Sequence, residues 1–208
     1  MARYGLMGGT FDPIHLGHLV TAEEARFQLR LDLVIFIPNR CPPHKDPSEV
    51  TDPEHRYLMT VLATATHPYF RVSREEIDRP GPSYTVDTIR AFRHRYPQDD
   101  LYYITGADAI GQILRGEWHR TEELLRMCEF IGASRPGYSI DRDLWQSSDI
   151  AREYRHRIHL LEIPALAISS TEIRRRVQEG RTIRYLVPEG VEQYILKHGL
   201  YNRTGRRG

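Results

Sequence analysis

Short apolar runs alternate with longer stretches in which apolar positions recur every three or four residues. The runs at 3–7, 33–38, 70–73, 101–105, 129–133 and 157–162 are rich in Val, Ile, Tyr and Phe and bounded by turn residues, which predicts strands. Helical spacing predicts helices over 18–29, 53–66, 85–96, 121–127 and 141–156. The second of these starts with strong signals: Asp52 as cap, Pro53 at the first helical position and Glu54 in the first turn. Two more helices, 170–179 and 188–198, each stop at a glycine, Gly180 and Gly199. Alternation of strands and helices predicts an α/β fold, a Rossmann-like doubly wound parallel sheet with helices on both faces and a small C-terminal helical segment. Ligands of such sheets sit beyond the carboxyl ends of the strands at a topological switch point, so the residues after each strand are the place to look for a site.

Composition narrows the function classes. The 208 residues are 40% hydrophobic, enough for a substantial core, and are expected to form one domain over 1–201, of which 168–201 is the helical part. Residues 202–208 read as a basic, flexible tail. Lys and Arg number 29 against 28 Asp and Glu, so binding of nucleic acid or a membrane through net charge is not expected. The longest strictly apolar run, 33–37, is far shorter than the ~20 residues of a membrane span. No secretory leader is expected, and two cysteines, Cys41 and Cys128, fit a reduced, cytoplasmic protein. Self-association is left open.

The first predicted strand runs into Gly8-Gly9-Thr10-Phe11-Asp12-Pro13-Ile14-His15-Leu16-Gly17-His18. This is neither the dinucleotide fingerprint nor a P-loop. Its glycines are expected to allow a tight turn with exposed amides, and the helix that follows aims its positive end at the same space, an arrangement suited to phosphate. His15 and His18 can face one anion, and Gly17 leaves room for a flat base. A zinc pair would more often use i, i+4 spacing and lacks an evident third ligand. Lys45, in the proline-rich stretch 39–52, is a point charge suited to phosphate, or simply an exposed lysine. Ser169-Ser170-Thr171-Glu172 reads as a capping box, with Arg174 one turn inside a helix start that also suits phosphate. Asp108, after the fourth strand, suits ribose hydroxyls or a helix cap. Trp118, in a loop, is either a lid on the core or a stacking plate.

Gly-Gly-Thr-Phe-Asp-Pro-Ile-His-x-Gly-His resembles the first signature of the nucleotidyltransferase superfamily that includes class I aminoacyl-tRNA synthetases. The full form is similar to that of the bacterial nicotinate mononucleotide adenylyltransferases. Pro42-Pro43-His44-Lys45, Ser169-Ser170-Thr171-Glu172-Ile173-Arg174, Ser83-Tyr84-Thr85 and Gly106-Ala107-Asp108 resemble further family elements, and the likeness extends over about residues 4–201.

The resemblance implies adenylyl transfer from ATP to nicotinate mononucleotide, giving deamido-NAD and pyrophosphate, a step of NAD biosynthesis. It implies His15 and His18 as the catalytic pair on the α-phosphate. ATP is expected to be bound by Gly8, Gly9, Thr10, Phe11, Gly17, Lys45, Gly106, Asp108, Ser169, Ser170, Thr171 and Arg174. The acceptor is expected at Ser83, Tyr84, Thr85, Trp118 and Arg135. Mg2+ is implied as a companion of ATP, held mainly through phosphate oxygens rather than by a dedicated protein cage. Rival readings are a phosphopantetheine or CTP-dependent transferase of the same superfamily and a non-catalytic nucleotide or RNA sensor. Both fit the Ser-Tyr-Thr element, Trp118 and Arg174 less well.

Overall fold

The computed structural model describes residues 1–42, 46–134, 142–164 and 166–202. Six parallel strands form one sheet: β1 (Arg3–Gly9), β2 (Leu33–Pro38), β3 (Phe70–Val72), β4 (Asp100–Gly106), β5 (Glu129–Ser134) and β6 (Ile158–Glu162). Their spatial order is β3-β2-β1-β4-β5-β6, so the chain reverses its winding between β1 and β4. That gap is the switch point of a doubly wound fold.

Strand alternation explains how one sheet carries two cores. Leu6, Ile35, Ile37, Leu101 and Tyr103 enter one apolar cluster, with Val86, Ile89 and Phe92 of α3 (Thr85–Arg95), Ile110 of α4 (Ala107–Leu114) and Leu124 of α5 (Thr121–Met127). Their neighbours Met7, Val34, Phe36, Tyr102 and Ile104 face the other way. These meet Ala22 and Ala25 of α1 (Leu16–Gln28), Met59 of α2 (Pro53–Thr64), Ile173 of α8 (Ser170–Gln178) and Val191 and Ile195 of α9 (Glu189–His198). Each such fully buried aliphatic side chain contributes roughly 1.5–3 kcal/mol. The two C-terminal helices therefore share the core of the sheet.

Caps act largely as the sequence predicts. The Asp52 carboxylate accepts from the Glu54 amide at 2.8 Å, and Gly180 and Gly199 take φ of +68° and +59° at their helix ends. Two expectations differ in detail. The helix predicted over 141–156 is broken into α6 (Arg142–Ser147) and α7 (Asp149–Tyr154), because Ser148 turns extended and its hydroxyl caps the Ala151 amide. The helix α4 lies where the pattern predicts no element. Among the described residues no helix is long and apolar enough to cross a membrane.

Candidate active site

The signature loop begins inside the sheet. Gly8 and Gly9 are still strand residues, and the left-handed turn falls on Phe11 at φ 48°. The expectation that the glycines make the turn is thus corrected: Gly8 is needed because a Cβ there would collide with the Tyr103 hydroxyl. α1 starts at Leu16, two residues earlier than predicted, with His15 as its cap, and the His15 backbone N–H donates to Nδ1 of His18 at 3.2 Å. The two imidazoles stack with centroids 3.7 Å apart. Burial pushes His15 down to about 4; burial and the neighbouring His15 push His18 down to about 3. Both rings are neutral near pH 7. With its Nδ1 accepting, neutral His18 carries its proton on Nε2 and can donate there. Nδ1 of His15 is buried and has no hydrogen-bond partner among the described residues. It lies against Gly17, where a Cβ would stand 3.0 Å from it.

The loop is held from outside. The Arg174 guanidinium donates to the Asp12 carbonyl at 2.7 Å, and the Ser170 hydroxyl donates to the Pro13 carbonyl at 2.9 Å. Asp12 is buried; its carboxylate accepts from the Tyr201 hydroxyl at 2.7 Å and the Thr51 amide at 3.1 Å. Arg56, with no exposed surface, donates to the carbonyls of Thr10 and Thr51, each at 2.7 Å, and of Arg40 at 3.2 Å.

Two cavities open at the switch point and share Gly8 and Thr105. One, of about 330 Å³, is lined by His15, Gly17, His18 and Gly106, with an apolar wall from Ile163, Pro164, Leu166 and Ile168. The other, of about 520 Å³, is lined by Gly9, Thr10, Ser83, Tyr84, Thr85 and Trp118. The structure thus brings ten of the predicted residues beyond Gly8 into two adjoining chambers. In the second, the Trp118 indole N–H donates to Gln112 at 3.1 Å, and its ring meets Tyr103 edge-on. The Ser83 hydroxyl accepts from the Arg40 amide at 3.2 Å, and α3 starts at Thr85 without a side-chain cap from Tyr84. Its first amides can therefore serve a ligand.

Other predicted residues stand apart from the chamber walls. Phe11 is buried behind the loop, edge-on to His18. Asp108 is exposed in the first turn of α4, whose cap residue is Gly106. Ser169 caps α8 through the Glu172 amide at 3.2 Å, but the Glu172 carboxylate pairs with Arg175 and Arg176, so only half of the expected capping box forms. Thr171 is exposed beside Ser170. Lys45 and Arg135 lie outside the described residues, as do 203–208 of the predicted tail.

Sequence reasoning misses four contributors. Tyr103 lies under Gly8, and Glu76 is a buried carboxylate in the second chamber, accepting from the Thr88 hydroxyl at 2.5 Å. Burial pushes Glu76 up from the usual carboxylate range. Asp12 and Tyr201 form the link beneath the loop. Only Asp12 belongs to a recognisable motif; an inward acid in Arg74-Glu75-Glu76 carries no signal that separates it from a solvated charge run.

Comparison with known proteins agrees with this layout. Residues 6–176 match the cytidylyltransferase-like family. A Moorella thermoacetica protein carrying the name "Probable nicotinate-nucleotide adenylyltransferase" is 58% identical over 96% of this chain and 91% of its own. A Thermoanaerobacter protein of the same name is 53% identical over 99% and 97%. The solved structure of Plasmodium falciparum nicotinic acid mononucleotide adenylyltransferase complexed with NaAD shares the fold at TM-score 0.78 and 22% identity, over 97% of this chain and 98% of that one. With its doubly wound sheet and its histidine pair at the β1–β4 switch point, the chain belongs to the cytidylyltransferase-like family and, within it, to the nicotinate-nucleotide adenylyltransferases.

Proposed function

We infer that this protein transfers the adenylyl group of ATP to nicotinate mononucleotide, releasing pyrophosphate and forming deamido-NAD in NAD biosynthesis. The observation that carries this reading at the site is the stacked, neutral imidazole pair at the mouth of a two-chambered cleft. A phosphate oxygen of the acceptor attacks the α-phosphorus of ATP, a P–O bond forms, and the bond to the β-phosphate oxygen breaks. The attacking oxygen is already ionised near neutral pH, so no general base is required. Catalysis then rests on positioning and on donors aimed at the charge that grows on the α-phosphate.

His15 and His18 take that donor role, assisted by the amides of residues 8–11. Neutral imidazoles donate hydrogen bonds without surrendering a full charge to the product, which favours release. The adenine side is assigned to the chamber of Gly17 and Gly106, where Ile163, Pro164, Leu166 and Ile168 offer an apolar face to a flat base; Asp108, exposed in the first turn of α4, is assigned to ribose. Lys45, Ser169, Ser170, Thr171 and Arg174 are assigned to the leaving phosphates; Arg174 and Ser170 already grip the loop that presents the histidines. Nicotinate is placed in the second chamber, its carboxylate at Ser83, Tyr84 and Thr85 and its ring against Trp118, with Arg135 on the acceptor phosphate.

Among the described residues no group of three or more His, Cys, Asp or Glu side chains is placed to hold a metal. Mg2+ is assigned to the substrate as MgATP, held mainly through phosphate oxygens. Free Cys41 and Cys128 support a cytoplasmic setting, and the shared core of sheet and C-terminal helices supports residues 1–201 as one folded unit.

The test is pyrophosphate release from ATP and Mg2+ with nicotinate mononucleotide, the nicotinamide mononucleotide and phosphopantetheine. Rapid release with the first, and a much lower kcat/KM with the amide, is expected, because hydroxyls and amides placed for a carboxylate gain less from a neutral amide. Release with phosphopantetheine alone would overturn the reading.

A further inference from the structure

The C-terminal end of the chain reaches into the site from behind. Tyr201 lies 189 residues from Asp12 in sequence, yet its hydroxyl donates to the Asp12 carboxylate at 2.7 Å. Asp12 keeps only 3% of its surface exposed, so this carboxylate depends on its protein partners, Tyr201 and the Thr51 amide, for hydrogen bonds. Tyr201 holds φ at +66°, a conformation that a non-glycine residue keeps only when its surroundings impose it. The backbone carbonyl of Asp12, three positions before His15, is where Arg174 docks. The C-terminal segment grips the loop again at Leu186, whose carbonyl accepts from the Leu16 amide at 3.0 Å, next to His15.

We propose that Tyr201 is a positioning residue for catalysis: through Asp12 it sets the backbone that aims His15 and His18 at the reacting phosphate. This rests on the adenylyl-transfer reading. Asp12 is tied to the histidines by two intervening residues, Pro13 and Ile14, of which Ile14 has no exposed surface, so a shift of Asp12 is passed on rather than absorbed. Neither Asp12 nor Tyr201 lines either chamber, so Tyr201 reaches the site only through the loop, whereas the residues assigned to the acceptor, Ser83 to Thr85 and Trp118, stand on other elements. Loss of the Tyr201 hydroxyl therefore acts on the chemical step and spares acceptor binding.

The test is Tyr201→Phe in the full chain, which removes one oxygen and keeps the ring. With wild-type enzyme turning over as proposed, Y201F is expected to lower kcat by about tenfold, the scale of one lost hydrogen bond to a charged group, with KM for nicotinate mononucleotide within about twofold. The ring 15N shifts of His18 are expected to move in the variant. Asp12→Asn is expected to reproduce the kcat loss, and the double variant to lose little beyond D12N, since both act through one link. D12N carries the same test should Y201F be too unstable to assay. Wild-type kcat and unmoved histidine shifts in either variant, or additive losses in the pair, overturn the proposal. A wild-type enzyme inactive with nicotinate mononucleotide would instead refute the functional reading on which the proposal rests.

Discussion

The two chambers that meet at Gly8 are built on opposite principles. In the chamber assigned to adenylate a loop of backbone groups and two neutral imidazoles is braced from below by the buried Asp12 and Arg56 and the half-buried Arg174: Asp12 under Tyr201, Arg174 on the Asp12 carbonyl, Arg56 on the Thr10 carbonyl. In the chamber assigned to the acceptor the walls are side chains, aromatic at Tyr84, Tyr103 and Trp118 and hydroxylic at Ser83 and Thr85, around the buried Glu76. The first arrangement presents donors rigidly, as transition-state stabilisation requires. The second shapes a cavity for a ring and its substituent, as discrimination requires. On the proposed assignment, chemistry and selectivity are expected to separate on mutation.

The largest effect is expected at the brace. Arg56→Met should cost about 3–5 kcal/mol of stability in urea unfolding, because four oxygen acceptors, including Asn39 Oδ1, lose their donor in the interior. A loss below ~1 kcal/mol would mean that the brace is not what holds the loop. His18→Ala should lower kcat by roughly 100-fold while the midpoint of unfolding and the acceptor KM stay close to wild type. Equal damage to acceptor KM would erase the separation between the chambers. Trp118→Ala should do the converse, raising acceptor KM by about tenfold with ATP KM little changed, as expected for loss of an aromatic stacking face.

The smallest effects concern pH, and the two chambers should pull in opposite directions. His15 and His18 are depressed from 6.5 to about 4 and about 3. The unfolded chain therefore binds more protons than the native one below pH 6.5, and the pair's contribution, full above that pH, is lost as pH falls toward 4 and 3. Glu76 is raised from 4.5 by burial, so the native state binds more protons there, and its contribution falls as pH rises above 4.5 through the folded value. Replacing His18 by Asn should flatten the acid-side loss, and Glu76→Gln should flatten the opposite slope. Unfolding midpoints from pH 4 to 8 check both; identical profiles in the two variants would contradict the assignment.

Much of this was legible in the residues. Strand alternation and helix caps predict the sheet closely, with β2 and α5 placed to the residue, because burial on both faces leaves a strong apolar pattern. The histidine loop is legible because its chemistry is local, eleven consecutive residues with the donors in order. What supports it is not. Tyr201, Arg56 and Glu76 act through contacts distant in sequence, and a tyrosine near a C-terminus or an arginine on a helix looks the same whether buried or solvated. The glycines were legible as necessary but for a different reason, since the close neighbour of Gly8 is the Tyr103 hydroxyl, which the sequence places 95 residues away.

The most direct test of the central idea, a neutral imidazole donating to the reacting phosphate, is 15N NMR of His18 at pH 6.5 with and without the dinucleotide product. The account predicts a neutral ring protonated on Nε2 in both states, with the Nε2 resonance shifting on binding as a phosphate oxygen accepts its proton. An imidazolium spectrum, or a resonance that product leaves unmoved, would contradict it.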